Sequence, residues 1–164
     1  MQAENYRAVA AWFDARPAAK RGLKIAVKVT VALVYLLYAG LLAALLVLRD
    51  ARFLRVLLVP AAVFVIGTVL RAVIDRPRPY EKLNFTPLFP KSTHGKSMPS
   101  RHAFCAAGIA VAAWYAAPAL GVFGAVLALG VAVSRVLSGV HYPSDVLAGL
   151  AIGSVLAVIG FYCI

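Results

Sequence analysis

The sequence predicts an all-α membrane protein, a polytopic bundle of about five transmembrane helices preceded by a short amphipathic one. Three observations carry that expectation. Hydrophobic residues make up 63% of the 164-residue chain, against roughly 45–50% in ordinary globular domains, and mean hydropathy is +0.87. The apolar residues fall in long runs, several reaching the ~20 residues that a bilayer-spanning helix needs. Finally, the net charge is +11 although only 14% of residues are charged, and the basic residues lie between apolar runs. A soluble nucleic-acid binder would instead spread them over a polar surface, so that class is excluded. The length allows one domain over residues 1–164.

Taken in order, residues 1–22 read as an interfacial N-terminal segment. Tyr6, Val9, Ala10 and Phe13 recur at helical spacing with Trp12 beside them, and Pro17 interrupts the pattern. The first span runs from about Ile25 to Leu48, entered by Lys20, Arg21, Lys24 and Lys28. It starts too late and runs too long for a cleavable signal peptide. Arg49-Asp50-Ala51-Arg52 forms a charged turn before a second span, about Leu54 to Ile74, with Arg55 snorkelling at its start and Arg71 near its far end. Residues 75–100 are the one long polar connection, a length that in a small membrane protein points to function. Three further spans follow, approximately Ala103–Ala117, Gly121–Leu137 and Asp145–Ile164. Small residues at every fourth position (Gly130, Ser134, Ser138; Gly149, Gly153) allow close helix approach. Cys105 and Cys163 read as packing residues.

Five spans place the 75–100 loop and the 138–144 turn on one face, where the unusual polar residues converge. In the turn, Arg135, His141 and Asp145 sit between two apolar runs, and charge at membrane depth is costly enough to mark a site. If Pro143 opens a helix, Asp145 folds back to His141. A carboxylate on one imidazole nitrogen then fixes the tautomer and leaves the other free to attack an electrophile. Arg135 presents a donor fork suited to phosphate oxygens. Pro99-Ser100-Arg101-His102 opens the third span, and a helix start suits an anion. Ser100 is either a cap or an anion ligand, and His102 is a candidate proton donor. Arg71 and Arg78 lie seven apart, on one face if the helix persists, although Pro77 and Pro79 tend to end it. Arg76 reads as ordinary positive flanking of a span. His94 reads as solvated, and Lys91 and Lys96 can attract an anionic head group.

These clusters, in this order, resemble the type 2 phosphatidic acid phosphatase superfamily of membrane lipid phosphatases. Its pattern is Lys-x6-Arg-Pro, Pro-Ser-x-His and Ser-Arg-x5-His-x3-Asp. Here it stands as Arg71…Arg78-Pro79, Pro99-Ser100-Arg101-His102 and Ser134-Arg135…His141…Asp145, about half the chain with every internal spacing kept. The resemblance implies that His141 is the nucleophile, forming a phosphohistidine, that Asp145 orients it, and that His102 protonates the leaving oxygen and then activates water. Arg71, Arg78, Ser100 and Arg135 would bind the phosphoryl oxygens. Two departures stand out: Arg71 replaces the usual lysine, a fork for a point charge, and there are five spans where bacterial relatives commonly have six.

With three arginines to stabilise charge that spreads over phosphoryl oxygens, no metal or other cofactor is required. The partners implied are a lipid phosphate substrate and the surrounding membrane lipids, with no nucleic acid. The substrate is phosphatidic acid, phosphatidylglycerophosphate, or a polyprenyl phosphate or diphosphate. The expected location is the bacterial cytoplasmic membrane. Basic residues on the N-terminal flank lean the site toward the cytoplasm, whereas bacterial family members mostly face away from it. The competing classes are a catalytically silent lipid-binding scaffold and a vanadate-dependent haloperoxidase. The first need not keep both histidines and Asp145, and the second is expected to be larger and soluble.

Overall fold

Proline opens four of the helices in the computed structural model, which describes residues 2–164. The missing proline N–H is one that a first helical turn leaves unpaired anyway. The elements are α1 (Ala3–Asp14), α2 (Pro17–Val47), α3 (Phe53–Ile74), α4 (Pro79–Lys82), α5 (Arg101–Ala116), α6 (Pro118–Leu137) and α7 (Pro143–Tyr162), with no strand among the described residues. The helices α2, α3, α6 and α7 are long and apolar enough to cross a membrane, so this is an integral membrane protein. The amphipathic α1 ends at Asp14, before Pro17, as the sequence suggested, but Pro17 is also the start of the next helix. It begins α2, which therefore extends through Lys20, Arg21, Lys24 and Lys28. Pro118 and Pro143 likewise start their helices two to three residues before the expected boundaries.

The bundle is built around α5. At 16 residues it rises only about 24 Å, yet it is buried along most of its length, from Ala103 and Phe104 to Ala112 and Ala113. Surrounded by other helices, it need not match the bilayer itself. Its alanine-rich surface lets neighbours close in, the mechanism by which membrane helices gain packing where lipid offers no hydrophobic drive. On α7, a Cβ at Gly149 would lie 2.8 Å from the Ser100 carbonyl oxygen, and one at Gly153 would collide with the backbone of Phe104. The Phe104 ring, fully buried, fills the space left by Gly67 on α3. Of the two small-residue rows, that of α7 makes the close contact. Ser134 and Ser138 on α6 instead turn their hydroxyls onto carbonyls of their own helix, Val131 and Ser134. The tight approach of α6 to α5 runs through Gly121, where a Cβ would collide with Trp114, and Gly124, where one would lie 3.0 Å from Ala110 Cα.

Pro60 inside α3 cannot donate to the Val56 carbonyl. The Tyr38 hydroxyl of α2 reaches that oxygen and that of Leu57, both at 3.2 Å, which restores a partner where water is absent. At the end of the bundle away from the polar loop, Arg52 pairs with Asp50 and donates to Ala116, while Arg55 donates to Phe161. These arginines satisfy helix-end carbonyls. The opposite end carries the 75–100 loop, the 138–142 turn and α1, which lays Tyr6 across both.

Candidate active site

At that end α3 stops at Ile74, because Asp75 turns left-handed (φ 37°) ahead of Pro77. Residues 75–78 form no helix and Arg78 is extended (φ −76°, ψ 159°), so Arg78 reaches the site through this break and not by helical periodicity from Arg71. The loop is then tied by Glu81, whose carboxylate accepts from the backbone N–H of Arg78 (2.7 Å) and Gly95 (3.0 Å) and meets His94 Nδ1 at 2.9 Å. His94 is thus an exposed ring held by Glu81. Ser100 precedes α5, Arg101 and His102 fill its first turn, and Arg135 projects from the last turn of α6.

The turn after α6 passes through Gly139 at φ 73°, where the Phe85 ring leaves 3.0 Å for a Cβ, so only glycine fits without strain. Pro143 then opens α7 and puts Asp145 at its third position. There the carboxylate caps the helix by accepting the Tyr142 N–H at 2.9 Å. Capping and orientation of His141 are therefore one geometry, since the same Oδ2 lies 3.5 Å from His141 Nδ1.

Asp145 is completely buried and His141 nearly so. A buried carboxylate needs several donors, and two of those found were not anticipated. Arg76 Nη1 lies 2.7 Å from Asp145 Oδ1 and 2.8 Å from Ser144 Oγ, with its guanidinium 4.2 Å above the Tyr142 ring. The flanking role read for Arg76 is therefore replaced by an ion pair behind the site. Ser97, fully buried, donates to Asp145 Oδ2 at 2.5 Å and sits 3.4 Å from His141 Nδ1. With its single proton given to the carboxylate, the Ser97 oxygen is left to accept from Nδ1–H. Burial lowers the His141 pKa below its ordinary value, against the carboxylate's opposing pull, so the ring is neutral near pH 7.

A third unanticipated contact comes from α1. Tyr6 is buried, stacks on Phe85 at 5.0 Å, and donates its hydroxyl to the His141 carbonyl at 3.2 Å. Burial pushes its pKa to about 12, which keeps the proton on the donor.

A cavity of about 240 Å³ opens in front of His141, lined also by Arg71, Arg78, His102 and Arg135. The structure thus gathers five of the seven expected residues around one space. Ser100 and Asp145 lie behind its wall. Arg71 donates to the Pro99 carbonyl, and Arg78, nearly buried, to those of Gly95 and Val140. Three buried donors have no partner among the described residues, the Ser100 hydroxyl, Arg135 Nε and the Tyr142 hydroxyl. Lys91, Lys96 and Arg101 add further positive charge to the lining, which Thr93, His94 and Val140 complete, with no Asp or Glu in it among the described residues. The Lys91 ammonium is held below the usual lysine value by desolvation and by the surrounding arginines. A second, apolar cavity of about 620 Å³ lies between α2, α3, α5 and α6, and the lining residues it shares with the first are Arg101 and His102.

Fold and site together define a membrane-embedded helical bundle with a basic cavity beside an apolar one, the two sharing Arg101 and His102 in their linings. Residues 52–164 match the family model described as the PAP2 superfamily, and the chain belongs to that superfamily. It is 35% identical over 115 residues to an undecaprenyl-diphosphatase of Sulfolobus acidocaldarius, a match covering 68% of this chain and 56% of that protein. The chain thus spans a little over half the length of that relative. Among solved structures it resembles the first transmembrane PAP2 type phosphatidylglycerolphosphate phosphatase from Bacillus subtilis, with a TM-score of 0.70 and 24% identity over 96% of this chain and 83% of that one. It also resembles Aquifex aeolicus LpxE, with a TM-score of 0.73 and 25% identity over 96% and 92%. The Bacillus likeness is one of fold.

Proposed function

We propose that this protein removes phosphate from a membrane lipid phosphate or diphosphate without a metal, through a phosphohistidine intermediate. The observation that carries the proposal is a pair of neighbouring cavities that share Arg101 and His102 in their linings. One is basic and holds both histidines, the other is apolar, and they meet at His102. A lipid whose phosphate fills the first has its hydrocarbon chain in the second. The bond between phosphate and lipid then falls beside the residue best placed to protonate it.

In this reading His141, with Nδ1 engaged on the Ser97–Asp145 side, attacks phosphorus through Nε2. The N–P bond forms as the P–O bond to the lipid breaks, and His102 gives its proton to the departing oxygen. His102 then takes a proton from water, which attacks phosphorus, releases inorganic phosphate and restores neutral His141. Arg71, Arg78 and Arg135 stabilise the charge on the equatorial oxygens, and the unpartnered Ser100 hydroxyl supplies a further donor. Because the fixed guanidinium groups provide the positive charge, the reaction needs no divalent ion. We place the protein in the cytoplasmic membrane, with phosphatidic acid, phosphatidylglycerophosphate and polyprenyl phosphates or diphosphates as the substrate classes. The name of the Sulfolobus relative favours the last.

The test is phosphate release by detergent-purified protein, with EDTA present, across those lipids. Activity that survives EDTA and falls by at least a thousandfold in His141→Ala is the expected result. A variant as fast as the wild type overturns the nucleophile assignment. Folded wild-type protein that releases nothing from any of these lipids leaves a lipid-binding scaffold as the function.

A further inference from the structure

The apolar cavity has two unlike ends. At one, His102 of α5 lines it together with the phosphate cavity. At the other lie Tyr38 of α2, Leu57 of α3 and Ile109 of α5, each the lining residue of its helix farthest from the site. Beyond them the three helices close on one another: Leu41, Leu45, Val56, Ala112 and Ala113 are buried in one core cluster, and Tyr38 packs against it. Tyr38 is held in place, because its hydroxyl supplies the donor that Pro60 withholds from the Val56 carbonyl. Swinging the ring aside would orphan that oxygen in an apolar setting. Between the two ends, Tyr35, Phe64 and Val65 line the cavity and are also exposed, so its side faces lipid.

We propose that this cavity reads a fixed length of the substrate's hydrocarbon tail, about the first eight carbons from the phosphate, and that Tyr38 is the residue that ends it. This rests on the phosphatase reading above. Ile109 follows His102 by seven residues, an axial rise of about 10 Å. A staggered chain with C–C bonds of ~1.5 Å advances about 1.3 Å per carbon, so that rise takes about eight carbons. The volume, about 620 Å³, falls within the roughly 300–1,000 Å³ of small-molecule sites. For a chain presented from water, each methylene as far as Tyr38 is buried against the cavity wall. It stabilises ground and transition states alike, so it lowers KM and raises kcat/KM by about fourfold. A longer chain meets Tyr38 and turns out between α2 and α3 into surroundings as apolar as those it left, where further carbons add nothing.

The test is kcat/KM for a series of straight-chain alkyl phosphates, butyl to tetradecyl, with each protein's values taken relative to its own butyl phosphate. The full chain is used as wild type, Tyr38→Ala and Ala61→Phe. For the wild type the ratio should climb about fourfold per methylene and level off near octyl phosphate. Tyr38→Ala opens the floor, so dodecyl over octyl phosphate should gain about tenfold. Ala61 lines the cavity on α3, one turn nearer the site than Leu57, and is exposed. A phenylalanine there shortens the cavity without entering the core, so the break should come before octyl and octyl over butyl should fall by about tenfold. Ala61→Phe carries the test if Tyr38→Ala does not fold. Partition of the chains into detergent rises with length without a break and is common to all three proteins, so the break and its movement report the cavity. A ratio that climbs through the whole series, or breaks at the same length in every folded protein, overturns the tail-reading cavity and leaves the phosphatase reading standing. No phosphate release by folded wild type from any alkyl phosphate or from phosphatidic acid overturns both.

Discussion

Arg76→Ala gives the sharpest test of how the histidine is held. The substitution removes the only charged partner of a fully buried carboxylate, at 2.7 Å, together with the contact to Ser144 and the stack on Tyr142. Asp145 keeps the Ser97 hydroxyl and the Tyr142 N–H. The Arg76 side chain is 33% exposed, so water replaces part of what is lost. The cost therefore falls below the ~3–5 kcal/mol of breaking a fully buried pair and nearer the ~1.5–3 kcal/mol of one hydrogen bond to a charged group. If that cost is paid in the transition state, kcat falls by roughly 10- to 150-fold. KM should move less than about threefold, since Arg76 lies behind His141 and outside the phosphate cavity. Arg76→Lys keeps the charge without the fork and should recover most of the rate.

The assay is phosphate release in detergent micelles, with melting temperature measured in parallel. A kcat within twofold of wild type in Arg76→Ala, at an unchanged melting temperature, would refute the argument that Asp145 depends on this partner. An equal loss in Arg76→Lys would show that the fork geometry, and not the charge, is what matters.

Further outcomes follow from the same geometry. Ser97→Ala breaks the bridge between imidazole and carboxylate and should lower kcat by about tenfold, with KM little changed. Tyr6→Phe removes one neutral hydrogen bond to the His141 carbonyl while keeping the ring stack, and a two- to tenfold fall in kcat is expected. A loss of melting temperature without any loss of kcat would make Tyr6 purely structural. The pH profile carries its own sign: a lowered His141 pKa keeps the nucleophile neutral further into acid. The acid limb of kcat/KM, corrected for the substrate's own titration near pH 6, should therefore fall below 6.5, the ordinary histidine value. Gly153→Ala drives a methyl group into the Phe104 backbone and should cost about 1–3 kcal/mol, read as a melting temperature several degrees lower.

Four of the five expected spans were legible because each is a long apolar run, and runs need no tertiary information; the third is the short, buried α5. The span starts fell short at Pro17 and Pro118, where a proline that closes one pattern also serves as the first residue of the next helix, whereas Pro143 opens α7 as the fold-back of Asp145 onto His141 required. Arg71, Arg78, His102, Arg135, His141 and Asp145 were legible because their spacing within each cluster is local, and the topology then brought the clusters to one face. Arg76, Ser97 and Tyr6 were not. Arg76 pairs with a carboxylate 69 residues away, and in a stretch of arginines and prolines nothing local distinguishes it from membrane flanking. Ser97 sits in a polar loop among other hydroxyls, and Tyr6 bonds a backbone carbonyl, which leaves no pattern in side-chain identity. One signal was available: a carboxylate expected at membrane depth beside a neutral histidine needs a cation elsewhere. The arginine on the far side of the site was a candidate for it.

The two arginine populations divide the electrostatic work. In the proposed mechanism Asp145 orients His141, yet its negative charge lies close to where the substrate's phosphate would bind and would repel it. Arg76 answers that charge from behind, at Oδ1, the oxygen that does not meet the imidazole. The lining of the phosphate cavity contains no carboxylate among the described residues, so Arg71, Arg78 and Arg135 keep their full attraction for the incoming oxygens. Without Arg76, Asp145 would draw on the cavity arginines for its counter-charge, and orienting the nucleophile would weaken binding of its target. The non-helical segment after Asp75 makes the division workable. It sends Arg76 to the back of the site and Arg78, two residues on, to the front.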